Sequence, residues 1–482
     1  MPAAQIAASH YEPDGPGDGR KLCINVYAES NPQDPARPFR LVPTPGSRLI
    51  DNSSTLATAV RGVAQADGYA SGKLVVVDGA TVRLLDTGAE TWSALTGTLA
   101  GTDRAQVVFG EVQAGFLGNG ALYQSLAAGT AIAALTDADW ATLLSDHGET
   151  AFTSITVIGQ RLIATYGSRF GFSVALDFDN TTTLSYYTAE NAPDGVIAAR
   201  ALGDILYVFG GQTIEPWIQT GDNDDPFRPL TGQVIRRGLA ARDTVVELDN
   251  TLFFVADDRT VRRLDGLVPT ILNKEDAWVT RLLAGVDVET LICKAIETDA
   301  HSFYQINAPT FCIVFDIATQ TWHKRSTQAQ DTWEWAYIER VAEKFYAGSR
   351  LDTKLAQVSK DYLSDDMADA TTFGTEIIRT FTGHLPVKMG RNPMSIVRLE
   401  GTKGVGLSTG QGSDPLVSMS ISRDKGITYG SERTRSLGQI GEYMARTIWR
   451  QCGRAKPEQT VMKFSWSDPV NFSPTGVMIN EQ

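Results

Sequence analysis

The sequence predicts an all-β protein: a β-propeller of six or seven blades, then a C-terminal β-sandwich platform completed by N-terminal strands. Three observations predict it. First, a short apolar run returns seven times between Gly72 and Gly348. The copies are Lys73-Leu-Val-Val-Val77, Gly115-Phe-Leu117, Arg161-Leu-Ile-Ala-Thr-Tyr166, Asp204-Ile-Leu-Tyr-Val-Phe209, Thr251-Leu-Phe-Phe-Val255, Ser302-Phe-Tyr-Gln-Ile306 and Lys344-Phe-Tyr346. They recur at about 45 residues, a period that signals blades of four strands each. Second, two copies spell out a hairpin. Residues 204–209 turn at Gly210-Gly211 and leave through Ile214-Glu-Pro-Trp-Ile218; residues 251–255 turn at Asp257-Asp258 and return as Val261-Arg-Arg-Leu264. Third, the repeat stops in the polar stretch 363–370, after which strand-length runs at 376–382, 395–399, 416–421, 447–452 and 461–467 follow at sandwich-like spacing.

The elements then fall in order. Residues 1–20, rich in Ala, Pro, Gly and Asp, read as a flexible or extended arm. Residues 21–27 and 39–42 read as strands, the second closed by the turn Pro43-Thr-Pro-Gly46. Too short to bury a core alone, they are expected to join the C-terminal domain. The expected domains are therefore 1–53 (arm and strands of the platform), 54–362 (propeller) and 363–482 (sandwich). Within the propeller, residues 136–149 read as a short helix or an extended loop, 276–286 as a short helix, and 192–195 as a polar turn between blades. Trp322, Trp333, Trp335, Tyr337 and Tyr346 read as core, with alternation placing 333, 335 and 337 on one strand face.

Composition narrows the function. At 482 residues the chain is long enough for two or three domains, and its formal net charge is −13. Basic residues form no tract suited to phosphate binding. No window holds the ~20 apolar residues of a membrane span, and the opening residues lack the basic n-region of a secretory signal. Cys23, Cys293, Cys312 and Cys452 are scattered, which fits reduced thiols rather than disulfides or a metal site.

Motifs of catalysis are absent: no nucleophile elbow, no zincin helix and no phosphate loop. His10, His147, His301, His323 and His384 lie far apart without partners visible in sequence, and His323 reads as a solvated strand end. No cofactor, metal or catalytic residue is assigned. Asp222, Asn223, Asp224 and Asp225 form a polar insertion lacking the Gly and distal Glu of a calcium loop, so it reads as solvated. The segment Ser422-Arg-Asp424-Lys-Gly426-Ile-Thr428-Tyr429 resembles the Asp-box, in which Asp and Ser/Thr side chains bond turn amides and Gly takes a strained conformation. It occurs once, outside the repeats, and argues for a well-made turn.

Several separated stretches together resemble the tail-hub, or nozzle, proteins of short-tailed bacteriophages, also called packaged-DNA stabilisation proteins. They are Cys23-Ile-Asn-Val-Tyr27 with Pro43-Thr-Pro-Gly46, Ala189-Glu-Asn-Ala-Pro-Asp-Gly-Val-Ile197, Asp204-Ile-Leu-Tyr-Val-Phe-Gly210 with Thr213-Ile-Glu-Pro-Trp217, and, in the sandwich, residues 420–430, Arg446-Thr-Ile-Trp-Arg450 and Gly453-Arg454. The order matches across nearly the whole chain. The regions around His147 and Asn223 have no counterpart in the family pattern. The resemblance implies a virion protein assembled in the host cytoplasm. It implies a homo-hexameric ring below the portal and the adaptor (head-to-tail connector) ring, continuing the DNA exit channel. The platform would dock to the adaptor, tail fibres or spikes would attach at the rim, and double-stranded DNA would pass an acidic lumen without specific binding. Residues 222–225, and the loop around 137–147, are the expected channel tip or gate on length and polarity.

Two other readings compete. A carbohydrate-active hydrolase, a capsule depolymerase or sialidase-like enzyme, would need convergent carboxylates and arginines in a pocket. A generic interaction propeller binding a peptide on its top face would be a monomer.

Overall fold

The computed structural model describes residues 4–480 apart from 15–18, 33, 36, 51–55, 190–193, 231, 299, 370–371, 386–391 and 457–458. Two positions of the expected turn 192–195, and part of the 189–197 motif, lie outside the described residues. The chain divides into two compact units. One, the propeller unit, comprises Ile50–Ile296 and Glu334–Gln357; the other, the platform unit, comprises Met1–Leu49, Glu297–Trp333 and Val358–Gln482.

In the propeller unit five four-stranded antiparallel sheets follow one another as blades 1 to 5. Their innermost strands are Val60–Ala64, Gln106–Phe109, Ser154–Ile158, Val196–Leu202 and Val246–Leu248. Two more strands start in the same way, Ile292–Thr298 (by its first five residues) and Trp335–Val341, the latter paired with Lys344–Ser349. The recurring apolar runs are the second strands of these sheets, such as Leu74–Asp78, Arg161–Tyr166 and Thr251–Val255. A second strand is covered on both faces by neighbouring blades, so its residues run apolar without alternation. In Leu74–Asp78 and Arg161–Tyr166 every residue is buried.

Side chains from adjacent blades share each layer of core. Val75 and Val77 meet Ala114 and Phe116 between blades 1 and 2, and Tyr207 and Phe209 meet Leu252 and Phe254 between blades 4 and 5. Val63 and Val76 of blade 1 pack with Tyr337 and Tyr346, joining the first blade to the last. Full closure of this kind removes exposed sheet edges. The links are tight where blades 1 and 2 connect: Gly97 has φ +99°, and a Cβ there would lie 2.1 Å from the Ile132 carbonyl oxygen. Residues 136–149 contain a helix, Ala138–Ser145, started by Asp137, whose carboxylate accepts from the Asp139 amide at 3.0 Å. A second helix, Ala277–Ala284, buries Trp278, Val279 and Leu283.

The platform unit holds a long mixed sheet. Its order is His301–Ala308, Phe311–Asp316, Thr321–Lys324, Cys23–Ile24, Arg379–His384, Val461–Trp466, Leu416–Ser422 and Arg433–Ser436. Cys23–Ile24 runs parallel to Thr321–Lys324 and antiparallel to Arg379–His384. A three-stranded sheet of Thr447–Arg450, Ile396–Gly401 and Pro474–Ile479 faces it across a core of Phe381, Phe464, Trp466, Val397, Trp449 and Val477. The strands Arg433–Ser436 and Pro474–Ile479 are additions to the expected set.

The N-terminal strands complete this sandwich, as the sequence suggests, and the described start of the arm is extended and docked on it. Gln5–Ile6 pairs with Gly383 and His384, Ala4 bridges Val477, and Ala4 and Ala7 are buried in the core. Small side chains let the arm lie flat against the sandwich. Asn25, at φ +55°, splits the expected 21–27 strand, and its amide donates to the carbonyls of Ser326 and Ile378. The sixth repeat copy, 302–306, groups by its contacts with this unit: its own hairpin leads to Thr321–Lys324 and so to Ile24.

His323 is a correction: it is buried, not solvated. Its ring lies 5.9 Å from that of Tyr27 and 5.6 Å from that of Phe303, and Arg325 stands over Phe303 and Trp333. Burial, then the nearby Arg325 charge, hold His323 well below the usual histidine range. His301 does have a partner, Asp316 at 2.7 Å. Trp333 precedes the strand Trp335–Val341, and a bulge between Trp335 and Tyr337 breaks the expected single face. All five late aromatics are buried.

Candidate functional site

In the propeller unit a cavity of about 310 Å³ lies where the innermost strands converge. It is lined by residues 62–64, 104–108, 155–156, Arg200, 243–247, 292–294 and Tyr337 with Glu339. Each stretch belongs to a different innermost strand or its approach, so seven strands surround the cavity and the blade count is seven.

One side of the cavity is tied by arginines around a single carboxylate. Asp243 receives Arg104 Nε at 3.1 Å and Arg242 Nε at 3.1 Å. Arg104 also donates to the carbonyls of Glu289 and Leu291, and Arg242 to those of Thr153 (3.2 Å) and Arg104 (3.1 Å). Residues 104, 153, 243 and 289–291 come just before four different innermost strands, so this network laces four blades together. Burial alone would raise the Asp243 carboxyl, but Arg242 and Arg104 outweigh it and hold the group below its usual range. Opposite charges pair again at Lys294 and Glu339, 3.5 Å apart; there burial prevails over Lys294 and pushes Glu339 up.

Arg200 differs. Its Nη1 donates to Ser154 Oγ (3.1 Å), Ile155 O (3.3 Å) and Ala199 O (2.9 Å), and no carboxylate lies within ion-pair distance among the described residues. Burial lowers its pKa to about 10. Sequence reading missed Arg104, Arg200, Arg242 and Asp243. The available signal was position: Asp103-Arg104 and Arg242-Asp243 both stand just ahead of an innermost strand.

The residues singled out from sequence lie elsewhere and in two places. Asp222, Asn223, Asp224 and Asp225 form the turn between the third and fourth strands of blade 4, Ile214–Gln219 and Phe227–Pro229. The turn is exposed but tethered: Arg161 Nη2 donates to Asn223 Oδ1 at 3.0 Å, and the Tyr187 hydroxyl to Asp225 Oδ1 at 2.6 Å. It stands at the outer half of its blade, away from the cavity lining. The companion loop 137–147 is mostly the helix Ala138–Ser145.

Ser422, Asp424, Gly426, Thr428 and Tyr429 come together as one turn of the platform unit. Ser422 Oγ donates to Asp424 Oδ1 at 2.6 Å and accepts from the Gly426 amide at 2.8 Å. Asp424 Oδ1 accepts from the amides of Ile427 (3.2 Å) and Thr428 (2.9 Å), and Thr428 Oγ1 donates to Oδ2. Gly426 has φ +92°, and Lys463 stands over the Tyr429 ring. Hydrogen bonds from Ser422, then Thr428, lower the Asp424 pKa to about 2. These side chains bond one another and the turn amides, so the motif serves its own backbone.

Among the described residues no group of three or more His, Cys, Asp or Glu is placed to hold a metal. Cys23, Cys293, Cys312 and Cys452 are buried thiols outside any disulfide. No helix among them is long and apolar enough to cross a membrane.

Comparison with known proteins gives two family-model matches in tandem. The model described as bacteriophage P22 Gp10, beta-propeller, matches residues 22–362, and that described as bacteriophage P22 Gp10, beta-sandwich, matches residues 378–481. No curated protein matches the sequence. Among solved structures, the WD40 beta propeller domain of Doa1 aligns at 14% identity and TM-score 0.41, covering 65% of this chain and 97% of that one. The computationally designed Ika8 protein aligns at 11% identity and TM-score 0.35 (62% and 96% covered). Raptor of Chaetomium thermophilum aligns at 10% and 0.39 (66% and 29% covered).

Proposed function

Because this chain belongs to the P22 Gp10 family, the packaged-DNA stabilisation proteins of short-tailed phages, we propose that it is a non-catalytic hub of the virion tail. In this reading six copies form the nozzle ring below portal and adaptor, extend the DNA exit channel and retain the packaged genome. The platform docks to the adaptor, and tail fibres or spikes attach to the rim. The ring assembles in the host cytoplasm. The observation that carries the proposal is the tandem match of both domains, in order, across nearly the whole chain.

The chemistry of the chain supports it. A conduit for DNA must not grip phosphates, and the net charge of −13 disfavours a polyanion. Asp243 is held ionised between two arginines, which does not suit the general acid of a glycosidase. Asp222–225 are retained as a tip or gate loop in this proposal; deleting them is expected to cause premature DNA loss, and phage that keep their DNA would remove that role.

The decisive experiment is the mass of the purified protein in solution, alone and with a portal–adaptor complex. A hexamer, or a monomer that becomes one on the complex, is the expected result. A monomer indifferent to the complex would overturn the hub reading.

A further inference from the structure

We propose that the axial cavity of the propeller is a binding site for a monocarboxylate, held by the free edge of Arg200. Of the three nitrogens of this guanidinium only Nη1 is engaged, through three acceptors on blades 3 and 4. Those contacts fix the plane of the group. Nε and Nη2 have no hydrogen-bond partner among the described residues, yet the side chain lines the cavity and is partly accessible from it. The Nε–Nη2 edge is the planar fork that takes a carboxylate by two parallel hydrogen bonds.

The surroundings select the ligand. The other cations lining the cavity are committed: Arg104 to Asp243 and Lys294 to Glu339. Glu247 also lines the cavity, so a ligand of several negative charges is disfavoured and a single carboxylate fits. Val63, Val107, Val246 and Ile292 supply apolar wall for the body of the acid. A volume of about 310 Å³ falls in the lower part of the range that holds small molecules, roughly 300–1,000 Å³. The carboxylate has two sources, a free small acid or the C-terminus of another chain reaching in. The inference is independent of the hub reading.

The test is isothermal titration calorimetry on the full chain, with benzoate as the free acid and benzamide as its uncharged counterpart. A peptide ending in a free C-terminal phenylalanine, and its amidated form, supply the second arm. Saturable binding of benzoate but not benzamide is expected, weakened about tenfold or more in Arg200→Gln. Because that variant also loses the contacts to Ser154 and Ile155, Glu247→Gln is the complement, and it is expected to bind benzoate more tightly. Binding of benzoate alone assigns a free acid. Binding of the acid-ended peptide but not its amide assigns a chain end. No binding of either probe, or equal binding by wild type and Arg200→Gln, overturns the proposal.

Discussion

Replacing Asp243 with alanine removes one carboxylate from between two guanidinium groups. Arg104 and Arg242 both contact it at 3.1 Å, and all three side chains are largely covered, with 17% of Asp243 accessible. Breaking a buried ion pair by deleting one partner costs about 3–5 kcal/mol, because the other charge stays buried and unpaired. Two features shift that figure in opposite directions. Partial access to water screens the orphaned charges, while Arg104 and Arg242, now without a counterion, repel each other. The backbone carbonyls of Thr153, Glu289 and Leu291 still accept from both arginines, so the loss is set at about 3 kcal/mol, the lower end of that range. For a unit of this size each kcal/mol moves the midpoint roughly 2–3 °C, so the propeller transition is expected to fall by about 6–9 °C. Asp243→Asn, which keeps an acceptor, is expected to lose about half as much. Differential scanning calorimetry of the whole chain measures this, and a double-mutant cycle with Arg104→Ala isolates the pair. If Asp243→Ala changes stability by less than about 0.5 kcal/mol, within the range of an ordinary surface change, the lacing of four blades by this network is refuted.

Three further outcomes are expected. His10 is buried and held neutral, its pKa lowered by burial to about 4 from an ordinary 6.5. The unfolded chain therefore binds a proton between these values that the folded chain does not, so stability is full above pH 6.5 and falls as pH drops toward 4, by up to about 3 kcal/mol. His10→Gln should lessen the fall of urea-unfolding midpoints across that window, where His323 still contributes, and an unchanged slope would contradict the assignment. Asp424→Ala removes the acceptor of the Ile427 and Thr428 amides, so hydrogen exchange at those two should quicken while that of Phe464 stays slow; equal protection in both chains would show the turn stands without it. Gly97→Ala combines a φ of +99° with a Cβ 2.1 Å from the Ile132 carbonyl and is expected to cost more than about 1 kcal/mol, read as a lowered thermal midpoint; a wild-type midpoint would mean the linker yields freely.

What was legible in the sequence follows from which forces act locally. The second strands announce themselves because burial on both faces leaves runs such as Leu74-Val-Val-Val77 with no polar member. The Ser422–Thr428 turn is equally plain, since the side-chain hydrogen bonds that Ser422, Asp424 and Thr428 make with one another and with the turn amides span only seven residues. The docked arm was illegible: Ala4, Ile6 and Ala7 are too few to signal a core, and their partners, Val477 and Gly383, lie far away in the chain. His323 misled for a similar reason. Its strand end carries Trp322 and Lys324, but the ring is covered by Tyr27 and Phe303, which no local pattern indicates. The cavity gathers single residues from seven separated strands, and only the closed ring brings Arg200 near Arg104 and Asp243. Its pairing of charges is a property of closure, not of spacing.

The bridge between Ala4 and Val477 has a consequence for the order in which the molecule is made. Ala4 waits for a partner about 470 residues downstream, which at ~5–20 residues per second is roughly half a minute to a minute and a half on the ribosome. During that interval Ile6, Cys23 and Val26 have no sandwich to enter, while blades 1 to 5 can form from neighbours as they emerge. The propeller is thus an early product of synthesis and the platform a late one. A nascent chain stalled before residue 379 would carry blades 1 to 5 beside a first strand, Gln5–Ile6, still without its partner.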